Sequence, residues 1–198
     1  MIDPTPQLTA IVLLALVFGF AAYSKLTAWT ELEGVVRNYR MLPQALVVPV
    51  ARALPWIEGA LALMILSPPV RRAAALAMLG LLIVFAVAIA LNLARGRSHI
   101  DCGCFRSTLR QNLSWWLVLR NVLLIVACVI TLIPTAPREL VLTDMVTVLA
   151  GALSLFIAYL CVGFVTLKPP PRFDEIASAR AALDQSLQGS VSTTWKRL

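Results

Sequence analysis

Two cysteines one residue apart, Cys102 and Cys104, are the side chains of this sequence best suited to do chemistry. They sit in the stretch His99-Ile100-Asp101-Cys102-Gly103-Cys104-Phe105, a short polar hairpin with a long hydrophobic run on either side. The thiolate is the reactive form of cysteine, and nearby cations favour it. Arg95, Arg97 and Arg106 supply such cations. A disulfide between the two would close a very small ring, and Gly103 helps by accepting backbone angles closed to residues with a Cβ. A ring of that kind is strained, and strained disulfides are the more oxidising and labile ones. The spacing therefore points to thiol–disulfide exchange at a membrane surface.

Other chemistry in the same stretch has to be weighed. His99 could take or deliver a proton, although a loop histidine also serves simply as a solvated side chain. Asp101 suits a turn cap. His99, Asp101, Cys102 and Cys104 are four candidate metal ligands within six residues. Structural zinc sites prefer two or more residues between paired cysteines, and one short segment wraps a tetrahedron poorly. Copper(I) held by two thiolates is the more reasonable metal alternative. Cys128 and Cys161 lie inside apolar runs without flanking charge, and are expected to act as small packing residues.

The elements that must position this pair are hydrophobic helices. The chain has 198 residues, of which 60% are hydrophobic and 14% charged. A soluble domain is about half apolar and about a quarter charged. A span of the bilayer takes about 20 mostly apolar residues, and five such runs can be placed, at about 8–26, 50–66, 73–94, 113–133 and 145–167. The expected fold is an all-α integral membrane protein: a four-helix transmembrane core plus a fifth transmembrane helix, together residues 1–167. No basic residue precedes the first run, and no small-residue cleavage site follows it before Lys25, so it reads as a retained helix rather than a signal peptide. Residues 31–42 carry Leu32, Val35, Val36, Tyr39 and Leu42 at helical spacing, with Glu33, Arg37 and Arg40 on the other face. That is the pattern of an amphipathic helix lying on the membrane surface, which either caps what lies beneath it or serves as an ordinary connecting helix. Three consecutive prolines, Pro169–Pro171, end the last span, and residues 168–198 form a polar tail. The net charge of +7 is spread over loops beside apolar runs, which fits anionic lipid headgroups and not the basic stripe of a nucleic-acid-binding face.

Five spans put the two ends of the chain on opposite sides. The side holding the cysteine loop carries most of the basic residues, and the positive-inside rule would make that side cytoplasmic. A disulfide centre belongs in an oxidising compartment, since the cytoplasm keeps thiols reduced. The two arguments point opposite ways, and sequence alone leaves the side of the loop open.

Ionisable residues inside spanning helices are costly and mark function. Here they are Lys25 at the end of the first run, Arg52 and Glu58 in the second, Arg95 at the end of the third and Arg120 in the fourth, joined by the polar, non-ionisable Asn92 and Asn121. All but Arg52 count as candidate site residues, and chain direction puts all of them in the leaflet that bears the cysteine loop. Two readings follow. A Glu58–Arg120 ion pair fixes helix packing, or a polar chamber under the cysteines lets Arg120 or Lys25 stabilise a thiolate or a reduced quinone while Glu58 relays protons. Trp116, beside Trp115, is a candidate wall of a quinone pocket, though aromatics at this level also form the interfacial belt.

These residues together resemble the MauE family of methylamine-utilisation membrane proteins, which is related to DoxX-like proteins. The resemblance is carried by Lys25, Tyr39 with Pro43, Pro55 with Glu58, Asn92 with Arg95-Gly96, Asp101-Cys-Gly-Cys-Phe105 and Arg120-Asn121, over roughly residues 8–134. Arg106 stands where the family usually has glycine. The resemblance implies a bacterial inner-membrane protein that helps mature a disulfide-rich periplasmic client of the methylamine dehydrogenase type. It implies a thioredoxin-like partner of the MauD type that relays between client and membrane protein; the redox cycle of Cys102 and Cys104 and the roles of Glu58 and Arg120 rest on the residues themselves. A quinone would be the cofactor, by analogy with the vitamin K epoxide reductase and DsbB class. The alternatives are an assembly scaffold stapled by a permanent disulfide, and a membrane protein that handles copper(I) or zinc.

Overall fold

The computed structural model describes residues 3–96, 114–136 and 138–165. The segment 97–113, with Cys102 and Cys104, and the tail beyond 165 lie outside the described residues. Six helices follow in order: α1 Pro4–Thr27, α2 Trp29–Tyr39, α3 Gln44–Met64, α4 Arg71–Ala94, α5 Trp115–Leu132 and α6 Leu142–Val165. All but α2 are long and apolar enough to cross a membrane. α1, α4 and α6 have 24 residues each, about 36 Å at 1.5 Å per residue, enough for the hydrocarbon core and part of the interface. The fold is thus all-helical, and the chain is a multi-pass membrane protein.

Local signals set the helix ends. Asp3 caps α1 by accepting the Thr5 amide at 2.8 Å, and Pro4 opens the helix where its missing N–H costs nothing. α2 stops at Arg40, which adopts the left-handed conformation with φ of 49°. It ends before residue 42, the boundary suggested by its apolar spacing, because Pro43 keeps the residue before it out of the helical region. α4 ends on Gly96 at φ of 72°, whose amide returns to the Leu93 carbonyl at 2.9 Å.

One expectation needs correction. Pro55 and Trp56, just before Glu58, suggest a helix start or kink there, and the second span is expected from about residue 50; α3 begins at Gln44 and runs through both Pro49 and Pro55. Each proline removes one backbone donor. A membrane helix tolerates this when neighbouring helices enclose the freed carbonyl, and Pro55 is buried.

The bundle is organised around α1, which packs on α3, α5 and α6 and touches α2, while α4 packs chiefly on α5. Small residues let α1 and α3 approach closely. A Cβ on Gly59 would lie 3.6 Å from Ala22 Cβ, and one on Gly19 would lie 4.0 Å from Ala62 Cβ. These contacts make α1 and α3 antiparallel and set Lys25 level with Glu58. Leu14, Ile65, Met78 and Cys128 are fully buried in one core shared by α1, the α3 end, α4 and α5. Cys128 therefore packs as expected. Cys161 does not: it is exposed on α6, because only a narrow stripe of that helix faces the bundle.

At the end of the bundle where α1 starts, polar side chains tie the helices together. Gln7 donates to the carbonyls of Thr131 and Ile133 at 3.0 and 2.9 Å, satisfying the end of α5. Arg138 bridges Asp3 at 3.0 Å and Asp144 at 2.9 Å.

Candidate functional site

The opposite end of the bundle gathers the buried polar groups. Lys25, two residues from the end of α1, reaches Glu58 of α3 and forms an ion pair with its Oε1. Both are almost wholly buried, at 7% and 2% exposure. The lysine Nζ also stands 5.3 Å from the centre of the Phe85 ring of α4, within range of a cation–π contact. Three helices thus meet at one ammonium group. Taking two charges out of water costs several kcal/mol per ion, so such a pair persists only with close geometry.

Asn92 sits one turn from the end of α4 and is fully buried. Its Nδ2 donates to the Ala88 carbonyl at 2.9 Å and lies 3.9 Å from Met41 Sδ, in the turn between α2 and α3. A carbonyl only accepts, so this bond fixes the amide with Nδ2 towards Ala88. Asn92 Oδ1 has no hydrogen-bond partner among the described residues. Asn121 of α5 is buried and donates to Leu117 O at 2.9 Å. Tyr39, the last residue of α2, packs against Ile89 and Leu117 of α4 and α5. Through Tyr39 the amphipathic helix reaches this end of the bundle, and its Trp29 ring lies 5.4 Å from the Arg52 guanidinium.

Arg120 lies six residues into α5 and is 8% exposed. Its guanidinium stands 5.0 Å from the centre of the Tyr159 ring of α6. Tyr159 stacks on Phe156 at 6.3 Å, and Phe156 meets Phe20 of α1 edge-on at 6.0 Å.

Sequence reasoning named Lys25, Glu58, Asn92, Arg120 and Asn121, and all five are buried at this end of the bundle. It considered a Glu58–Arg120 pair, and Lys25 forms an ion pair with Glu58 that it did not single out. Arg95 is exposed where α4 ends, and Trp116 is 46% exposed beside Trp115 at 64%, the placement of an interfacial belt. Cys102, Cys104, His99 and Asp101 fall in the segment outside the described residues. Its two attachment points, the end of α4 and the start of α5, are at this same end of the bundle. Phe85 and Tyr159 were missed, since an aromatic in an apolar run carries no sign of which cation it faces.

A five-span helical bundle with a buried ion pair and a buried guanidinium at one end defines a class of multi-pass membrane protein built around an intramembrane polar site. Residues 4–134 match the family described as methylamine utilisation protein MauE, and the chain belongs to that family. It is 42% identical over 159 residues to the methylamine utilization protein MauE of Paracoccus denitrificans, covering 79% of this chain and 86% of the relative. The Methylophilus methylotrophus protein of the same name is 38% identical over 172 residues, covering 84% and 90%. That of Methylorubrum extorquens is 40% identical over 156 residues, covering 78% of each. No solved structure matches the chain.

Proposed function

We propose that the protein is a membrane thiol–disulfide oxidoreductase of methylamine utilisation, in which Cys102 and Cys104 carry the electrons and the buried polar site serves them. A partner thiolate, of a thioredoxin-like protein, attacks one sulfur of the Cys102–Cys104 disulfide and forms a mixed disulfide. The partner's second thiol then resolves it. The partner is oxidised by two electrons, and the pair becomes a dithiol holding two protons. The single observation that supports this reading is the gathering of Lys25, Glu58, Asn92 and Arg120, all buried, at the end of the bundle where the cysteine segment is attached.

Restoring the disulfide needs a two-electron acceptor, and a quinone when bound would supply it. The residues suit a flat ring bearing carbonyls. Lys25 and Arg120 are cationic donors beside the aromatic faces of Phe85 and Tyr159, and Asn92 offers an acceptor. In this reading Lys25 and Arg120 stabilise developing negative charge, and Glu58 passes the proton. Buried charges act strongly there because little water screens them.

The test is the thiol state of Cys102 and Cys104 in intact membranes, read with an alkylating mass tag, with and without a short-chain quinone. A pair that is reduced by a thioredoxin-like dithiol and re-oxidised on adding quinone is the expected result. Cys102→Ser and Cys104→Ser should each abolish maturation of the client while leaving the protein in the membrane. A pair that stays oxidised whatever is added would instead identify a permanent staple and an assembly scaffold.

A further inference from the structure

The geometry points to Tyr159 of α6 as a positioning residue that holds the Arg120 guanidinium inside the polar site. The ring centre is 5.0 Å from the guanidinium carbon, and a desolvated cation–π contact of this kind is stronger than an exposed one. The rest of α6 is arranged to deliver that ring. Among its buried or half-buried residues, Val148, Gly151, Ala152, Phe156 and Tyr159 share one stripe, at helical spacing. The small end of the stripe lets α6 approach α1, where a Cβ on Gly151 would stand 3.4 Å from Thr9 Cγ2. The aromatic end then meets Phe20 through Phe156 and closes over Arg120. The opposite face, including Leu149, Leu153 and Ile157, is exposed and suits lipid.

This has a consequence for the helix count. The family match ends at residue 134, before α6 begins. The aromatic face over Arg120 is therefore supplied from outside the matched region, by Tyr159 of α6. α6 completes the polar site, and Tyr159 is the residue through which it does so. Its effect on electron transfer rests on the relay proposed above, while its hold on Arg120 does not.

Two readouts keep the claims apart. In detergent-solubilised full-length protein, Arg120 should resist modification by phenylglyoxal, followed by peptide mass spectrometry. Tyr159→Leu should make it reactive, and Tyr159→Phe, which keeps the ring, should restore protection. In membranes, re-oxidation of Cys102 and Cys104 by a short-chain quinone should slow roughly tenfold in Tyr159→Leu and stay near the parent rate in Tyr159→Phe. Arg120 equally protected in Tyr159→Leu would overturn the positioning role. Equal failure of Phe and Leu would show that the hydroxyl matters and the ring contact does not. If the parent pair ignores quinone, the relay falls, and the phenylglyoxal result still decides the place of Tyr159.

Discussion

Lys25 and Glu58 exchange their charges across the α1–α3 contact with almost no solvent. Removing one member breaks a buried ion pair, a change that costs roughly 3–5 kcal/mol. Lys25→Met and Glu58→Gln should each lower thermal stability in detergent, with Lys25→Met the more damaging because it leaves a full carboxylate. The double variant Lys25→Met with Glu58→Leu should recover a large part of the loss, because the apolar pair leaves no charge behind. Additive losses in the cycle would mean that the two do not interact. At this scale the sequence was legible where a charge stood in an apolar run, as for Lys25, Glu58 and Arg120. Pairing was not, because it depends on helix register. Lys25 at the end of its run carries no mark of the helix it meets until Gly59 is seen against Ala22.

At the scale of elements, two close contacts and one strained residue set the geometry. The Gly59 position has room for one methyl group, since its Cβ would meet Ala22 Cβ at ordinary van der Waals distance. Gly59→Ala should therefore be tolerated within about 1 kcal/mol, whereas Gly59→Leu should force α1 and α3 apart and break the ion pair, read as loss of thermal stability. Arg40 ends α2 in the left-handed region, which costs a residue with a Cβ about 1 kcal/mol. Arg40→Gly should raise the melting temperature, and a lower one would rule out strain at that cap. Helix positions were readable from the apolar runs, because length and hydropathy alone decide what spans a bilayer. The α3 start was not. Proline ends helices in water, while in a bundle the enclosing helices make its interior placement bearable.

At the scale of the whole molecule, five helices among the described residues are long and apolar enough to cross the membrane, and the bundle is latched at the end where α1 begins. In a background with Cys102 and Cys104 replaced by serine, cysteines placed at Ser67 and Ala136 should react with an impermeant reagent from the same side, and one at Met41 from the other. Any other pattern would break the five-span arrangement. The latch has its own pH dependence. The Asp3 carboxyl is held below the usual aspartate range, first by hydrogen bonds from Thr5 and then by Arg138. A group with a lowered folded pKa contributes its stabilisation fully above its unfolded value, about 3.9, and loses it as pH falls through the folded one. The Asp144 carboxyl is lowered as well, first by the Val141 amide and then by Arg138, so hydrogen exchange of amides near Arg138, corrected for intrinsic rates, should be flat from about pH 5 to 8 and rise only below about 4, and Asp3→Asn should shrink the transition without removing it.

The central position of α1 bears on how the protein can be made. An export machinery that clipped this opening segment as a leader would discard the ammonium that neutralises Glu58 together with the pillar against which three other helices lean. The remainder would not be a trimmed version of the same protein. Expression designs that swap in a foreign cleavable leader should therefore yield material prone to degradation, whereas appendages ahead of an intact α1 should be accepted.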